Sequence, residues 1–267
     1  MNKTQLLPDR PGIPPMAKLP DPETVDPGEL LRAYESGEID LICVLGPTAS
    51  GKTRYAVELA RALGKAEILS ADSRQVYTGM DIGTGKDLGE YGDVPYHLID
   101  IVPAGTKFNI YQYQSAFADA WADVRRRGSV PILCGGSGLY IESATRAYKF
   151  EKDNGVPVSR LPQSVYYIGT LVSREERVAR IDRRLEERLK EGLVEEIQSL
   201  LASGIPADDL IYYGLEYKFV TQYVLGQLSY EDMVVALGNA IHQFAKRQMT
   251  WFRGMERDGV RIHWVRP

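Results

Sequence analysis

The feature that most limits what this chain can fold into is an octet, Gly46-Pro47-Thr48-Ala49-Ser50-Gly51-Lys52-Thr53, between a short apolar run and a helix-forming stretch. It satisfies the pattern GxxxxGK[ST], in the strand-loop-helix context that gives the pattern a physical meaning. Leu41 to Leu45 is long enough for a buried strand and too short for a core helix. From about Lys52 to Leu63 the residues suit a helix, which Gly64 ends. A strand that enters a helix through a curled loop leaves successive backbone N–H groups facing one hollow, at the positive end of the helix. Such a hollow takes a phosphate or diphosphate. Lys52 would put a point charge on the terminal phosphate, and the Thr53 hydroxyl would be a ligand for Mg²⁺.

The pattern continues as alternating strand and helix. Ala66 to Ser70 reads as a second strand, His97 to Val102 as a third, Ile110 to Arg127 as a helix and Pro131 to Cys134 as a fourth strand. This alternation predicts an α/β fold, a P-loop NTPase-like parallel sheet flanked by helices, with a helical C-terminal half. In that half Val178, Ile181, Leu185, Leu189, Leu193, Ile197 and Leu200 recur at three- and four-residue steps, one face of a single helix from about Arg174 to Ser203. Further helices follow near Leu215 to Leu225 and Tyr230 to Met255, then a strand around Arg261 to Val265. Ahead of the sheet, residues 1 to 27 hold seven of the fifteen prolines, which favour extended chain. Asp26-Pro27-Gly28-Glu29 starts a short helix that Gly37 ends. The chain thus divides into a Pro-rich extension, 1–38, and a core, 39–267. Its longest apolar runs are about five residues, against the ~20 of a spanning helix, and no apolar signal segment opens it, so a soluble, cytoplasmic protein is expected. Cys43 and Cys134 fall within strands and read as reduced core thiols.

Ligands in open α/β sheets sit outside the carboxyl ends of the strands. The second strand ends at Asp72-Ser73-Arg74-Gln75, which makes Asp72 a candidate general base beside a bound diphosphate, or a capping residue. The fourth strand lacks the terminal Asp of a motor or switch NTPase and ends in Gly135-Gly136-Ser137-Gly138. Two glycines there would let a ligand approach the backbone, or simply form a tight turn. Arg177, Arg180, Arg184 and Arg188 form a stripe beside the apolar seam, where surface pairing competes with a place over a cleft.

Several blocks together resemble the tRNA dimethylallyltransferases: the octet, Ser70 to Tyr77, Asp81-Ile82-Gly83-Thr84-Gly85-Lys86, His97 to Ile101, Pro131 to Tyr140, and Lys246-Arg247-Gln248-Met249-Thr250-Trp251-Phe252-Arg253. They lie in family order across roughly 41 to 265. The resemblance implies transfer of a dimethylallyl group from dimethylallyl diphosphate to N6 of adenosine 37 in tRNA, with Mg²⁺ as cofactor. It implies Asp72 as base, Thr48 and Arg184 as further catalytic residues, and diphosphate binding by Gly46, Pro47, Thr48, Ala49, Ser50, Gly51, Lys52 and Thr53. It carries tRNA contacts to Asp72, Ser73, Arg74, Gln75, Ser137, Lys218, Lys246, Arg247, Gln248, Trp251 and Arg253, with the target nucleotide flipped into a channel. It also carries a monomer and no membrane. The sequence departs from the pattern in three places. The helical insertion expected after the Gly-rich strand is reduced to about 143–168, the GY[KR] stretch reads Glu216-Tyr217-Lys218, and His242 stands where an Arg is usual. An adenylate isopentenyltransferase shares the phosphate loop and lacks the insertion. A P-loop small-molecule kinase is the reading from another class.

Net charge bears on the RNA partner. The total of −4 argues against nucleic acid, but residues 1 to 40 hold four basic and eight acidic groups, so the acidic excess lies wholly in that segment. Lys246 to Arg266 holds six basic residues against Glu256 and Asp258.

Overall fold

The computed structural model describes residues 20–146 and 156–267. The prolines before residue 20 and part of the shortened insertion lie outside the described residues. In chain order the elements begin with α1 (Pro27–Glu35), β1 (Leu41–Leu45), α2 (Lys52–Leu63) and β2 (Ala66–Ser70). Next come β3 (Tyr77–Thr78), β4 (Tyr96–His97), β5 (Val102–Pro103), α3 (Ile110–Arg126), β6 (Val130–Gly135), α4 (Gly138–Thr145) and β7 (Val165–Thr170). The chain ends through α5 (Arg174–Glu191), α6 (Leu193–Ala202), α7 (Ala207–Tyr213), α8 (Leu215–Val224), α9 (Tyr230–Arg257) and β8 (Ile262–Val265).

Six strands form one parallel sheet in the order β4-β2-β6-β1-β7-β8. β1 lies between β6 and β7, so both its faces are covered and all five of its residues are buried. Alternation sends Leu41, Cys43 and Leu45 to one face and Ile42 and Val44 to the other. The first face packs against α3, α4 and the C-terminal helices, and the second against α1 and α2. The Asp26 carboxylate accepts from the N–H groups of Gly28 and Glu29 and starts α1. Glu23 donates its N–H to the Trp264 carbonyl and its carboxylate pairs with His263, tying the segment before α1 to β8.

Two sequence expectations need correction. Residues 97–102 are not one strand but two short ones, β4 and β5, because Leu98 and Asp100 take positive φ of 66° and 56° between them. Asp100 is drawn out of register by the buried Lys86 ammonium, which also bonds the Tyr77 carbonyl and Asp81. The 174–203 helix divides into α5 and α6 at Gly192, whose φ of 106° is left-handed. The apolar seam crosses the break in phase, with Leu185, Leu193, Ile197 and Leu200 all buried. Helices α4 and α7 have no counterpart in the sequence reading.

Candidate active site

The carboxyl ends of β1, β2 and β6 open onto one cleft of about 820 Å³. That is enough for a nucleoside and a second small ligand together. Thr48, Lys52 and Thr53 form its phosphate-loop wall, Asp72 to Gln75 the wall from β2, and Gly135 to Tyr140 the wall from β6. Arg184 and Arg188 of α5, Glu216 to Phe219 of α8, and Phe244, Arg247, Gln248 and Trp251 of α9 complete it.

In the phosphate loop Ala49 and Gly51 take φ of 60° and 83°, so the chain curls around the hollow before Lys52 opens α2. Ser50 turns inward, its hydroxyl 2.7 Å from that of Thr170 on β7. Burial lowers the pKa of Lys52 from the ordinary lysine value, while Cys134 and Asp72 act in the opposite direction. Asp72 accepts the Arg74 N–H at 2.9 Å through Oδ1. Among the described residues its Oδ2 takes no protein hydrogen bond.

The Gly-rich loop after β6 lines the cleft on one side and packs closely against the rest of the protein on the other. A Cβ on Gly135 would overlap the Ala71 backbone, and one on Gly136 would overlap the Gln248 amide. The places that side chains would take at these two glycines are filled by the protein itself. Gln248 is buried and bridges the two loops: its Oε1 accepts the Thr48 N–H at 2.8 Å and its Nε2 donates to the Gly136 carbonyl at 2.9 Å. Ser137 Oγ accepts the Ser73 N–H at 3.0 Å, and Gln75 donates to the Gly85 carbonyl at 3.1 Å. Of the residues carried over as tRNA contacts, Gln248, Ser137 and Gln75 therefore have groups committed to protein bonds. Trp251 is buried where α9 meets Gly138. Arg74 sits over the Tyr213 ring at 5.9 Å, Lys218 over Phe219 at 5.2 Å and Arg247 over Phe244 at 5.9 Å, all three at the cleft. Lys246 and Arg253 lie outside its walls.

Arg184 reaches the cleft from α5 and pairs with Asp87 at 2.7 Å. Arg188, one turn on, is buried and lies 3.6 Å from Glu216. Burial pushes the Glu216 carboxyl up, and burial together with Arg184 pulls Arg188 down. The Arg-stripe pattern included Arg188, but nothing in sequence spacing joined it to Glu216. Glu196 was not legible as part of the site. Its carboxylate accepts from the N–H groups of Asp81, Ile82 and Gly83 and from the Tyr217 hydroxyl, fixing the turn behind Arg184. Among the described residues no three His, Cys, Asp or Glu side chains could hold a metal together, and no helix is long and apolar enough to cross a membrane.

Comparison with known proteins places this geometry. The IPP transferase family matches residues 75–163 and 149–255, and the isopentenyl transferase family matches residues 39–91. The chain is 45% identical to tRNA dimethylallyltransferase 2 of Bacteroides fragilis over 285 aligned residues, covering 85% of this chain and 93% of the relative. It is 46% identical to tRNA dimethylallyltransferase 1 of Porphyromonas gingivalis over 282 residues, covering 84% and 93%. The first alignment exceeds this chain's 267 residues while taking in only part of it, so the relative carries several tens of residues without a counterpart here. The crystal structure of the tRNA delta(2)-isopentenylpyrophosphate transferase of Staphylococcus epidermidis superposes with a TM-score of 0.73 at 31% identity, covering 85% of this chain and 92% of that one. A eukaryotic dimethylallyltransferase acting on tRNA shares the fold, with a TM-score of 0.72 at 17% identity over 85% of this chain and 74% of that one.

Proposed function

The chain belongs to the tRNA dimethylallyltransferase family, and from that premise we propose that its cleft transfers the dimethylallyl group of dimethylallyl diphosphate to N6 of adenosine 37 in tRNA. The observation that carries this reading is the opening of the phosphate loop and Asp72 onto one cleft large enough for diphosphate and nucleoside together. In the reaction the bond from C1 of the dimethylallyl group to the diphosphate oxygen breaks and a bond from N6 to C1 forms. The amine gives up one proton, and diphosphate leaves with the bonding pair. An exocyclic adenine amine is a weak nucleophile, so a carboxylate within reach of N6 is needed as base. Asp72 supplies it, with Oδ1 fixed by the Arg74 N–H and Oδ2 unengaged among the described residues. Charge on the departing diphosphate meets Lys52, the N–H groups of residues 51–53 at the start of α2, the Thr48 hydroxyl and Arg184. These donors are in place before reaction, so little reorganisation falls on the transition state.

Mg²⁺ suits this site as a phosphate-held ion. Mg²⁺ usually takes one or two protein oxygens together with substrate phosphates, and the Thr53 hydroxyl lines the cleft where such an ion would sit. When bound it neutralises part of the diphosphate charge.

The mouth of the cleft suits a single-stranded RNA loop. Lys218 and Arg247 lie over Phe219 and Phe244, which combines phosphate attraction with flat surfaces for bases. Ser73 and Arg74 meet the flipped nucleotide, while Lys246 and Arg253 contact backbone phosphates farther along α9. Gln75, Ser137, Gln248 and Trp251 shape that wall from behind. The helical clamp on the anticodon stem is reduced in this chain to about 143–168, behind the core that begins at residue 39. The reading is supported by the two IPP transferase matches, which meet at 149–163, and by the alignment that outruns the chain. The enzyme acts as a monomer in the cytoplasm, where its tRNA is found.

The test supplies the protein with dimethylallyl diphosphate and Mg²⁺, together with unmodified tRNA, an anticodon stem-loop or AMP, and reads products by mass spectrometry. Prenylated tRNA and stem-loop with untouched AMP is the expected result. Prenylated AMP with untouched tRNA would make the enzyme an adenylate isopentenyltransferase, and phosphoryl transfer would make it a kinase.

A further inference from the structure

Behind Arg184 lies a turn held far more firmly than its exposure requires. Glu196 takes the three N–H groups of residues 81–83 at 2.7–3.1 Å, and Tyr217 fixes the same carboxylate at 2.7 Å. Lys86, buried, closes the turn from inside through Asp81, Asp100 and the Tyr77 carbonyl. Both guanidinium groups, of Arg184 and of Arg188, crowd the Cα of Gly85, where no side chain would fit. Two residues on, Asp87 stands at φ 37°, a left-handed conformation costly for a side chain other than glycine. That strain is held in place by the turn before it and sets the carboxylate against Arg184, with Oδ2 2.7 Å from Nη2.

The chemistry of this contact is specific. Nη2 of Arg184 also points to the Gly85 carbonyl at 3.4 Å, so the protein engages one nitrogen of the guanidinium. Among the described residues Nε and Nη1 carry no protein hydrogen bond. Arg184 lines the cleft and Asp87 does not. Arg188 is a like charge one turn away, which would push an unrestrained Arg184 aside, and Glu216 balances Arg188 on its far side. We infer that Asp87 is a positioning residue: it holds Arg184 by a single nitrogen, so that the remaining donors face the departing diphosphate. The inference rests on the reading that Arg184 meets that diphosphate. A guanidinium oriented beforehand stabilises developing charge without reorganising during the reaction, so the benefit falls on turnover rather than on ground-state binding.

Four variants test this, with kcat and KM for dimethylallyl diphosphate measured on tRNA and the melting temperature as the control for folding. Arg184→Ala is expected to lower kcat about a hundredfold. Asp87→Gly removes the carboxylate while giving the backbone a residue at ease at positive φ. It is expected to lower kcat about tenfold, with KM within about twofold and the melting temperature held. Asp87→Asn keeps an acceptor for Nη2 and should recover most of the loss. In the Arg184→Ala background Asp87→Gly should add nothing, because the two act as one unit. Full turnover in Asp87→Gly beside an impaired Arg184→Ala overturns the inference, as do multiplicative losses in the double variant. Full turnover in Arg184→Ala overturns instead the assignment of Arg184 to the diphosphate.

Discussion

Two glycine-rich loops leave neighbouring strands of the same sheet, at the same edge, for opposite reasons. After β1, residues 46–51 curl through positive φ at Ala49 and Gly51, and the hollow they make faces the cleft. After β6, Gly135 and Gly136 are small because Ala71 and Gln248 occupy the places their side chains would take. The first loop curls open toward the cleft, and the second packs its glycines against the rest of the protein. Gln248 joins them, one amide group accepting from one loop and donating to the other. A string of glycines at a strand end therefore says that something comes close to the backbone, without saying whether it is ligand or protein.

The contrast is tested most severely at Lys52. If the first loop exists for the diphosphate, Lys52→Ala should lower turnover by about 10²–10³. Folding should be unharmed, since among the described residues Lys52 makes no ion pair and its ammonium is held against its desolvation. A drop in melting temperature equal to that of a core variant would make Lys52 structural and break the contrast. Its pH dependence follows from the same cause. Burial lowers the Lys52 pKa from 10.5, so the free enzyme loses this charge at a lower pH than an ordinary lysine would. KM for dimethylallyl diphosphate should accordingly rise on the alkaline side at a lower pH than the titration of an ordinary lysine would bring. Bound diphosphate favours the charged form, so kcat should be less affected. Lys52→Arg, whose guanidinium stays charged, should give a KM profile flat over that range.

Alanine at a glycine of each loop separates the two designs by their readouts. Gly136→Ala places a methyl group on the Gln248 amide, and the bridge must open, leaving the Thr48 N–H and the Gly136 carbonyl short of partners. The expected cost is about 2–3 kcal/mol of stability, visible as a lower denaturant midpoint. Gln248→Ala in the same protein should recover part of the overlap cost and none of the lost bonds, so the pair should be non-additive. Gly51→Ala meets the left-handed strain, about 1–2 kcal/mol, and a tight contact with the Pro267 ring, yet should weaken diphosphate binding more than Gly136→Ala does. Equal losses of binding from both would mean that the second loop also holds the ligand.

How much of this was legible in the residues depended on where the cause of each feature lay. β1, α2 and β2 were readable to the residue, because a buried apolar run, a helix start and Gly64 are local signals. Residues 97–102 misled because Asp100 answers to Lys86, fourteen residues away, and no window of sequence contains that pull. The break at Gly192 was hidden by an apolar seam that keeps its phase across it, so periodicity alone favoured one helix. At the site the phosphate loop and Asp72 could be named from strand-end logic. The Gln248 bridge spans 200 residues and the Arg188–Glu216 pair joins two helices, so both required the fold.

The smallest expected effect lies where the second loop touches the nucleotide wall. Ser137 Oγ accepts the Ser73 N–H at 3.0 Å and donates to the Ser73 hydroxyl at 3.3 Å, in a half-buried setting. Ser137→Ala removes both bonds, but water can reach the freed groups, so the cost should be about 1 kcal/mol or less. That corresponds to a melting temperature lower by roughly 2–4 °C. Because Ser73 follows Asp72, the loosened wall should raise KM for tRNA by about two- to fivefold while KM for dimethylallyl diphosphate stays put. The division between the two substrates is what matters. A loop that only braces the nucleotide wall cannot alter diphosphate binding by itself. If Ser137→Ala raises KM for dimethylallyl diphosphate instead, its hydroxyl reaches the phosphates and both glycine-rich loops serve the same anion.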